Sequence, residues 1–178
     1  MLKALKIIGI IVVVAVLAVV GIAATKPDSF EVKRSADIAA PPEKIAASLS
    51  DFHSWQAWSP WEKVDPAMKK TFSGPPSGVG SVYEWSGNAK AGAGRMEITE
   101  ASPAKVTIKL DFLKPFEAHN FVDFVLEPKG ESTHVTWVMR GKNNFIGKVM
   151  QVFVSMDKMI GKDFEAGLAT LKSVAEKS

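Results

Sequence analysis

The sequence predicts an α+β domain in which a curved, seven-stranded antiparallel sheet surrounds one long C-terminal helix. Three observations predict it: seven short strand-like segments, closely spaced turn residues between them, and a final segment whose apolar residues recur every three or four positions. Turns this short join antiparallel strands, because parallel neighbours need long crossovers. An antiparallel sheet must bury one face, and one long apolar helix is available to cover it.

An apolar stretch precedes this domain. Residues 7–24 are 18 successive residues without a charged or strongly hydrogen-bonding side chain. As a helix they would be about 27 Å long, against about 30 Å for the hydrocarbon core of a bilayer. Lys3 and Lys6 lie before the stretch, so the positive-inside rule predicts a cytoplasmic N-terminus and an extracytoplasmic, periplasmic domain. We therefore expect an anchor over residues 1–24, a tether over 25–29 and the folded domain over 30–178.

A cleaved signal peptide is the alternative interpretation of the apolar stretch. The apolar core of a signal peptide usually runs for about 7–15 residues and ends at a small-residue cleavage site. Residues 21–23 and 22–24 would serve as such sites, although the length of the stretch favours an uncleaved transmembrane helix. In both cases we expect the domain to be exported, and cleavage would make it secreted or periplasmic.

The exported part begins with a strand and two short helices. Residues 30–39 alternate apolar with polar side chains and predict the first strand. The Pro-Pro-Glu sequence at 41–43 opens a helix, because the fixed φ and missing N–H of proline suit a first helical turn. Asp51 is placed to cap a second short helix, which we expect Pro60 to end.

Six further strands and one helix complete the domain. The strands have alternating or β-branched character and are separated by Gly, Pro, Asn and Ser; they are predicted at 68–72, 81–85, 95–100, 105–112, 116–127 and 133–140. In the last segment the apolar residues from Val149 to Ala175 follow helical spacing, which predicts a single long amphipathic helix. A sheet curled around such a helix often leaves unfilled space between the two.

Composition excludes or disfavours several classes of function. The 178 residues contain no cysteine, which excludes disulfides, thiolate metal sites and a Cys nucleophile. Without Lys3 and Lys6, 20 Lys and Arg face 19 Asp and Glu, so the domain is not basic and nucleic-acid binding is disfavoured. The three histidines, His53, His119 and His134, do not have metal-ligand spacing, and the chain has no phosphate-binding or dinucleotide-binding glycine motif. We expect neither a metal nor a cofactor.

Six segments match a known superfamily in order and spacing. They are APPEKI at 40–45, SDFHSWQAWSPW at 50–61, TFSGPPSGVG at 71–80, YEWSGN at 83–88, GAGRMEI at 92–98 and THVTW at 133–137. The sequence thus resembles the START-like, helix-grip proteins, also called SRPBCC or polyketide cyclase/dehydrase-type domains. The resemblance implies a hydrophobic cavity between the sheet and the C-terminal helix. Members of the superfamily include lipid carriers, hormone receptors and polyketide cyclases, and the apolar N-terminal stretch departs from the usual cytosolic members.

The candidate ligand-binding residues are mostly large apolar or amphipathic side chains that we expect at the sheet–helix interface. They are Trp55, Trp58, Trp61, Tyr83, Trp85, Arg95, Trp137, Phe153, Met156 and Ile160. Tryptophans combine a flat apolar face with one N–H donor, and methionine adapts to varied apolar shapes. Arg95 would hold a carboxylate or phosphate head group if it faced inward. The alternatives are core filling for the apolar residues and a solvated ion-pair face for Arg95 and Glu97.

Three functions are compatible with these observations. The first is a membrane-tethered, extracytoplasmic domain that binds a small hydrophobic or lipid-like molecule. The second is a cyclase-like or hydrolase-like enzyme in the same cavity, with His53, Tyr83, Arg95 or Glu97 as general acid or base. The third is a structural or partner-binding envelope module, which would have a filled core and an exposed apolar patch. The presence of a cavity separates the third hypothesis from the others, and the sequence predicts no oligomeric state.

Overall fold

The computed structural model describes residues 2–177. The α-helices are α1 (Leu2–Ala24), α2 (Pro42–Leu49), α3 (Phe145–Phe153) and α4 (Met156–Lys177), and two 3₁₀ helices span Phe52–Ala57 and Pro60–Lys63. The strands are β1 (Ser29–Ile38), β2 (Lys69–Ser73), β3 (Val82–Ser86), β4 (Ala93–Ala101), β5 (Lys105–Lys114), β6 (Ala118–Lys129) and β7 (Ser132–Lys142). Helix α1 is long and apolar enough to cross a membrane, a test that a signal sequence also passes.

All seven strands form one antiparallel sheet in the order β1-β7-β6-β5-β4-β3-β2. Strands β2 to β7 each pair with their neighbour in sequence, as short turns require. Strand β1 pairs instead with β7, so that Ser29 lies opposite Lys142 and Ile38 opposite Thr133. This sheet and the long helix α4 confirm the predicted fold class.

The core lies between the inward face of the sheet and α4. Helix α4 packs against β1 and contributes a buried stripe that includes Phe164, Leu168 and Leu171. The Phe164 ring stacks on the Trp137 indole of β7, with ring centroids 4.2 Å apart. Burying side chains of this size stabilises a fold by about 1.5–3 kcal/mol each, so this stripe holds α4 to the sheet.

The predicted single helix over residues 149–175 is wrong in one respect, because it is broken in two. Val154 has an extended backbone (φ −142°, ψ 128°) and separates α3 from α4. Each helix has its own polar cap: Asn144 Oδ1 accepts from the Gly147 N–H at 2.8 Å, and Ser155 Oγ accepts from the Lys158 N–H at 3.3 Å. The apolar period continues across the break, so periodicity alone does not show it.

The segment after α2 also differs from expectation at one proline. Asp51 caps the first 3₁₀ helix as predicted, its Oδ1 accepting from the His53 N–H at 2.9 Å. That helix ends at Ala57, however, and Pro60 does not end it but begins the second 3₁₀ helix. Proline fits a first helical turn because its missing N–H would have no partner there. The residues that follow Pro60 are thereby turned towards the inner face of the sheet.

Candidate functional site

A cavity of about 400 Å³ lies between the sheet, the two 3₁₀ helices and the start of α4. Sites for small organic ligands usually measure about 300–1,000 Å³, so this space is large enough for one small molecule. Most of its wall consists of carbon and aromatic rings. The structure therefore contains the unfilled space that the curved sheet predicts.

Five neighbouring strands form the floor of the cavity. Residues directly opposite one another on adjacent strands supply it: Tyr83 faces Met96, Met96 faces Leu110, and Val122 faces Met139. Because side chains alternate across a strand, every second residue of β3 to β7 reaches this one face. The floor is thus a direct product of the alternating pattern in the sequence.

The cavity opens to solvent beside the first turn of α4. Val64 and Met159 both belong to the cavity wall, yet they are 37% and 40% exposed. Lys90, in the β3–β4 turn, is a third residue of the wall with an exposed side chain. These residues mark the rim, so a ligand would enter between the second 3₁₀ helix, this turn and α4.

The structure brings six of the ten predicted ligand-binding residues together around the cavity. They are Trp55, Trp61, Tyr83, Trp85, Trp137 and Ile160. Their indole, phenol and aliphatic groups come from four separate parts of the chain, so only folding makes them neighbours. Contact of these residues with a ligand remains a prediction.

Two of the predicted residues belong to the packed core beside the cavity. Trp58 is buried behind the cavity wall, with its ring edge-on to Trp137 at 5.6 Å and to Phe124 at 6.0 Å between centroids. Met156 is partly buried and packs against the core cluster without reaching the cavity wall. Both have the core-filling position that was their alternative interpretation.

Arg95 and Phe153 lie away from the cavity. On β4 the side chains of Met96 and Ile98 are buried on the inner face. Arg95 and Glu97 alternate with them and point to the outer face, where Arg95 Nη1 donates to Glu97 Oε2 at 2.7 Å. This is the solvated ion pair that was the alternative for Arg95. Phe153 is 71% exposed, because it lies on α3 before the helix break rather than on α4.

The main polar feature of the cavity is a carboxylate with two partners. The Tyr83 hydroxyl donates to Glu62 Oε1 at 2.9 Å, and Lys70 Nζ forms an ion pair with Glu62 Oε2. Only 7% of the Glu62 side chain is exposed, which is permitted because both carboxylate oxygens are paired. The cluster presents one hydrogen-bonding spot in an otherwise apolar wall.

Glu62 and Lys70 were absent from the residues predicted from sequence, although each had a signal. Glu62 directly follows Trp61 and the helix-opening Pro60. Lys70 is two residues before Phe72 on β2 and lies opposite Trp85 on β3. All three side chains therefore share the inner face of the sheet. A lysine is rarely buried unless its charge is paired, so an isolated lysine on the apolar face of a strand indicates a nearby carboxylate.

The indole N–H groups around the cavity differ in their hydrogen-bond partners. Trp55 Nε1 donates to the Leu49 carbonyl at 3.1 Å, and Trp85 Nε1 donates to the Ala91 carbonyl at 3.0 Å. Trp137 Nε1 is buried and has no acceptor among the residues that the structure describes. Because this nitrogen is shielded from solvent and from the open cavity, as Trp58 Nε1 also is, the unpaired donor belongs to the packed core, at a cost of about 1–3 kcal/mol.

The three histidines lie outside the cavity wall. Each one contacts an aspartate: His53 Nδ1 is 3.0 Å from Asp51 Oδ1, and His119 and His134 make similar pairs at 2.7 and 2.6 Å. Within residues 2–177 no three or more His, Asp and Glu side chains are grouped so that they could hold a metal ion. The polar side chains of the cavity wall are therefore those of Ser59, Glu62, Tyr83 and, at the rim, Lys90.

The single tyrosine of the chain makes the polar cluster measurable. Burial first, and then the negative charge and hydrogen bond of Glu62, raise the pKa of Tyr83 above the usual value of about 10. We expect the phenol absorbance of the folded protein to titrate at higher pH than that of the same chain in denaturant. Glu62→Gln should move the folded-state midpoint back towards 10, because it removes the negative charge. Equal midpoints for the folded and denatured chains would contradict this arrangement.

A curved antiparallel sheet that closes over a C-terminal helix and leaves an apolar cavity between them defines a helix-grip domain. Residues 29–176 match the family described as polyketide cyclase/dehydrase and lipid transport, and the chain belongs to that family. No curated protein matches the chain.

Solved structures show the same fold at low sequence identity. Norcoclaurine synthase from Thalictrum flavum gives a TM-score of 0.62 at 10% identity, covering 84% of this chain and 95% of that chain. Ginseng major latex-like protein 151 from Panax ginseng gives 0.59 at 15% identity, covering 84% and 99%. The di-domain ARO/CYC protein BexL from the BE-7585A biosynthetic pathway gives 0.63 at 13% identity, covering 89% of this chain and 54% of that chain. At these identities the likeness establishes the fold alone.

Proposed function

We propose that the protein is a membrane-tethered, extracytoplasmic domain that binds a small hydrophobic or lipid-like molecule in its sheet–helix cavity. The observation that carries this proposal is the apolar cavity of about 400 Å³. A purely structural module would have a filled core at this place. The family description, which includes lipid transport, is consistent with an apolar ligand.

The polar groups of the wall indicate what kind of apolar molecule fits. The Glu62–Tyr83 pair offers one hydrogen-bonding spot, and Lys90 adds an ammonium group at the rim. Large aromatic faces from Trp61 and Trp85 surround these groups. We infer a ligand with an apolar body and a hydrogen-bonding group at one end.

The tether would raise the local supply of such ligands. Between residues 3 and 24, the side chains of α1 are exposed except for half-buried Val19 and buried Ala23, and the helix packs against α3. This packing favours an α1 that stays attached to the domain as an anchor. A binding site held beside a bilayer meets membrane-derived molecules at a high effective concentration.

Native mass spectrometry of the full chain, released from detergent, tests the proposal. We expect co-purified apolar molecules, and we expect the fluorescent probe N-phenyl-1-naphthylamine to bind and be displaced by lipid extracts. Tyr83→Phe keeps the ring and removes the hydroxyl, so it should weaken binding of ligands with a hydrogen-bonding end more than binding of the probe. The absence of both a bound molecule and probe binding would contradict the proposal.

A cyclase-type enzyme is the second candidate, and the Glu62–Tyr83 pair in the cavity wall favours it. Among the acid–base candidates predicted from sequence, Tyr83 belongs to the wall, whereas His53, Arg95 and Glu97 do not. A carboxylate and a neutral phenol at 2.9 Å are suited to accept and donate protons. Incubation with a poly-β-ketone substrate distinguishes the two functions. Cyclised product that is lost in Glu62→Gln and Tyr83→Phe supports an enzyme, and unchanged substrate supports a carrier.

A further inference from the structure

Helix α3 has an apolar face that nothing in the domain covers. None of its residues is buried, although the helix is strongly amphipathic. Its exposed apolar residues are Phe145, Ile146, Met150 and Phe153, followed by Val154. Residues 146, 150 and 153 are spaced by four and three, so they form one stripe along the helix. We refer to these five residues as the α3 apolar face.

Helix α3 is joined to α1 and to the tether. The end of α1 packs against α3, with Ala23 buried and Val19 half-buried. The tether residues continue the contact, since Lys148 forms an ion pair with Asp28 and Asn143 Nδ2 donates to the Pro27 carbonyl at 2.9 Å. The position of α3 along α1 is therefore fixed by packing, an ion pair and a hydrogen bond.

That position places α3 at the depth of the membrane surface. The apolar stretch of residues 7–24 measures about 27 Å and needs its whole length to span a hydrocarbon core of about 30 Å. Val19, which lies at the level of α3, is five residues before the end of α1, or about 7.5 Å along the axis. Interfacial helices bury their apolar face about 5–10 Å into the same boundary. An anchored α1 therefore carries α3 into the lipid interface.

We propose that α3 is an interfacial helix whose apolar face inserts into the bilayer that α1 spans, with Phe145, Ile146, Met150 and Phe153 among the acyl chains. This proposal rests on the anchor of the proposed function. Lys142, just before α3, and Lys158, in the first turn of α4, are exposed; lysines suit a membrane interface because their apolar stems can lie in lipid while the ammonium group stays in water. Helix α1 packs against α3 and itself exposes apolar side chains along most of its length, which favours lipid as the occupant of the α3 apolar face.

Insertion of α3 would also determine how the cavity opening is oriented relative to the bilayer. Met159, on the rim of the cavity, is five residues after Val154 at the end of the α3 apolar face. Both residues are exposed. With α3 inserted, the short connection between these residues would keep the rim close to the lipid surface, so that a ligand could pass from the bilayer into the cavity.

Because the chain has no cysteine, a single introduced cysteine can carry a fluorescent label that tests the insertion of α3 directly. The full-length variants Phe153→Cys and Met150→Cys, labelled with the fluorophore NBD, are reconstituted into phosphatidylcholine–phosphatidylglycerol vesicles. We expect blue-shifted emission, quenching by doxyl-labelled lipids and protection from aqueous iodide. The matched control is Glu131→Cys, an exposed residue at the opposite end of β7, which should be quenched by iodide and not by doxyl lipids. Iodide quenching at residues 150 and 153 equal to that of the control overturns the proposal.

A second measurement separates this proposal from ligand binding. Ile146→Ser combined with Phe153→Ser should slow the transfer of N-phenyl-1-naphthylamine from vesicles to the protein about tenfold, with probe affinity in detergent unchanged. If α3 is lipid-embedded and the protein binds no probe, the interfacial helix stands and the proposed function fails. If the protein binds probe in detergent and transfer from vesicles is unchanged, the role of α3 is overturned while the cavity function stands.

Discussion

Leu110→Trp is expected to weaken binding of an apolar ligand by about 100-fold or more. Leu110 projects from the middle of β5 into the cavity and is 8% exposed. An indole at this position would occupy space that the ligand needs, and excluding one large apolar group from burial costs about 3 kcal/mol, or a hundredfold in affinity. Fluorescence titration with N-phenyl-1-naphthylamine measures the effect.

The same strand offers a matched control for this substitution. Leu113 is 54% exposed and does not line the cavity, so Leu113→Trp adds the same ring outside it. Probe affinity should then remain that of the unmodified chain. Equal affinities for both tryptophan variants would show that the probe binds elsewhere, whereas unfolding of Leu110→Trp is detected separately by circular dichroism.

Phe164→Ala is expected to lower the free energy of unfolding by about 3–5 kcal/mol. Phe164 is 1% exposed, stacks on Trp137 at 4.2 Å and meets the edge of Trp61 at 6.0 Å between ring centroids. Its removal leaves a void where α4 grips the sheet, and rigid aromatic neighbours fill such a void poorly. Because a domain of this size has a total stability of about 5–15 kcal/mol, this is a large share.

Urea denaturation of the full chain in mild detergent, followed by near-ultraviolet circular dichroism, measures this loss. Phe116→Ala is the control, because Phe116 is 52% exposed and the same atoms are removed from the surface. Its cost should stay within about 0.5 kcal/mol. A cost for Phe164→Ala as small as that of the control would mean that the aromatic stack does not hold α4 in place.

Much of the fold could be predicted from sequence because local patterns determine it. Alternation identified all seven strands to within a few residues. On β4 it placed Met96 and Ile98 on one face and Arg95 and Glu97 on the other, but the structure was needed to show which face is inward. Helical spacing identified α4. Helical spacing did not predict the break at Val154, because the apolar period continues through both helices and only their polar caps distinguish them.

The candidate site was less predictable because its chemistry depends on pairs that are distant in sequence. Glu62 lies 21 residues from Tyr83 and 8 from Lys70, and their contact exists only because β2 and β3 pair beneath the second 3₁₀ helix. Phe153 was placed in the cavity because the unbroken helix would have carried it along the same stripe as Ile160. A residue's helical face could be predicted from spacing, but the helix to which it belongs could not.

The pairing of β1 with β7 has a mechanical consequence. Ser29 and Lys142 are register partners, so the segment arriving from α1 and the segment departing to α3 leave the sheet side by side at one corner. In the membrane-bound state that we propose, α1 and α3 would attach the domain at two neighbouring points rather than one. Two attachments would allow the domain to tilt about the line that joins them but would hinder its rotation about the membrane normal. The proposal thus implies a fixed orientation of the domain relative to the bilayer.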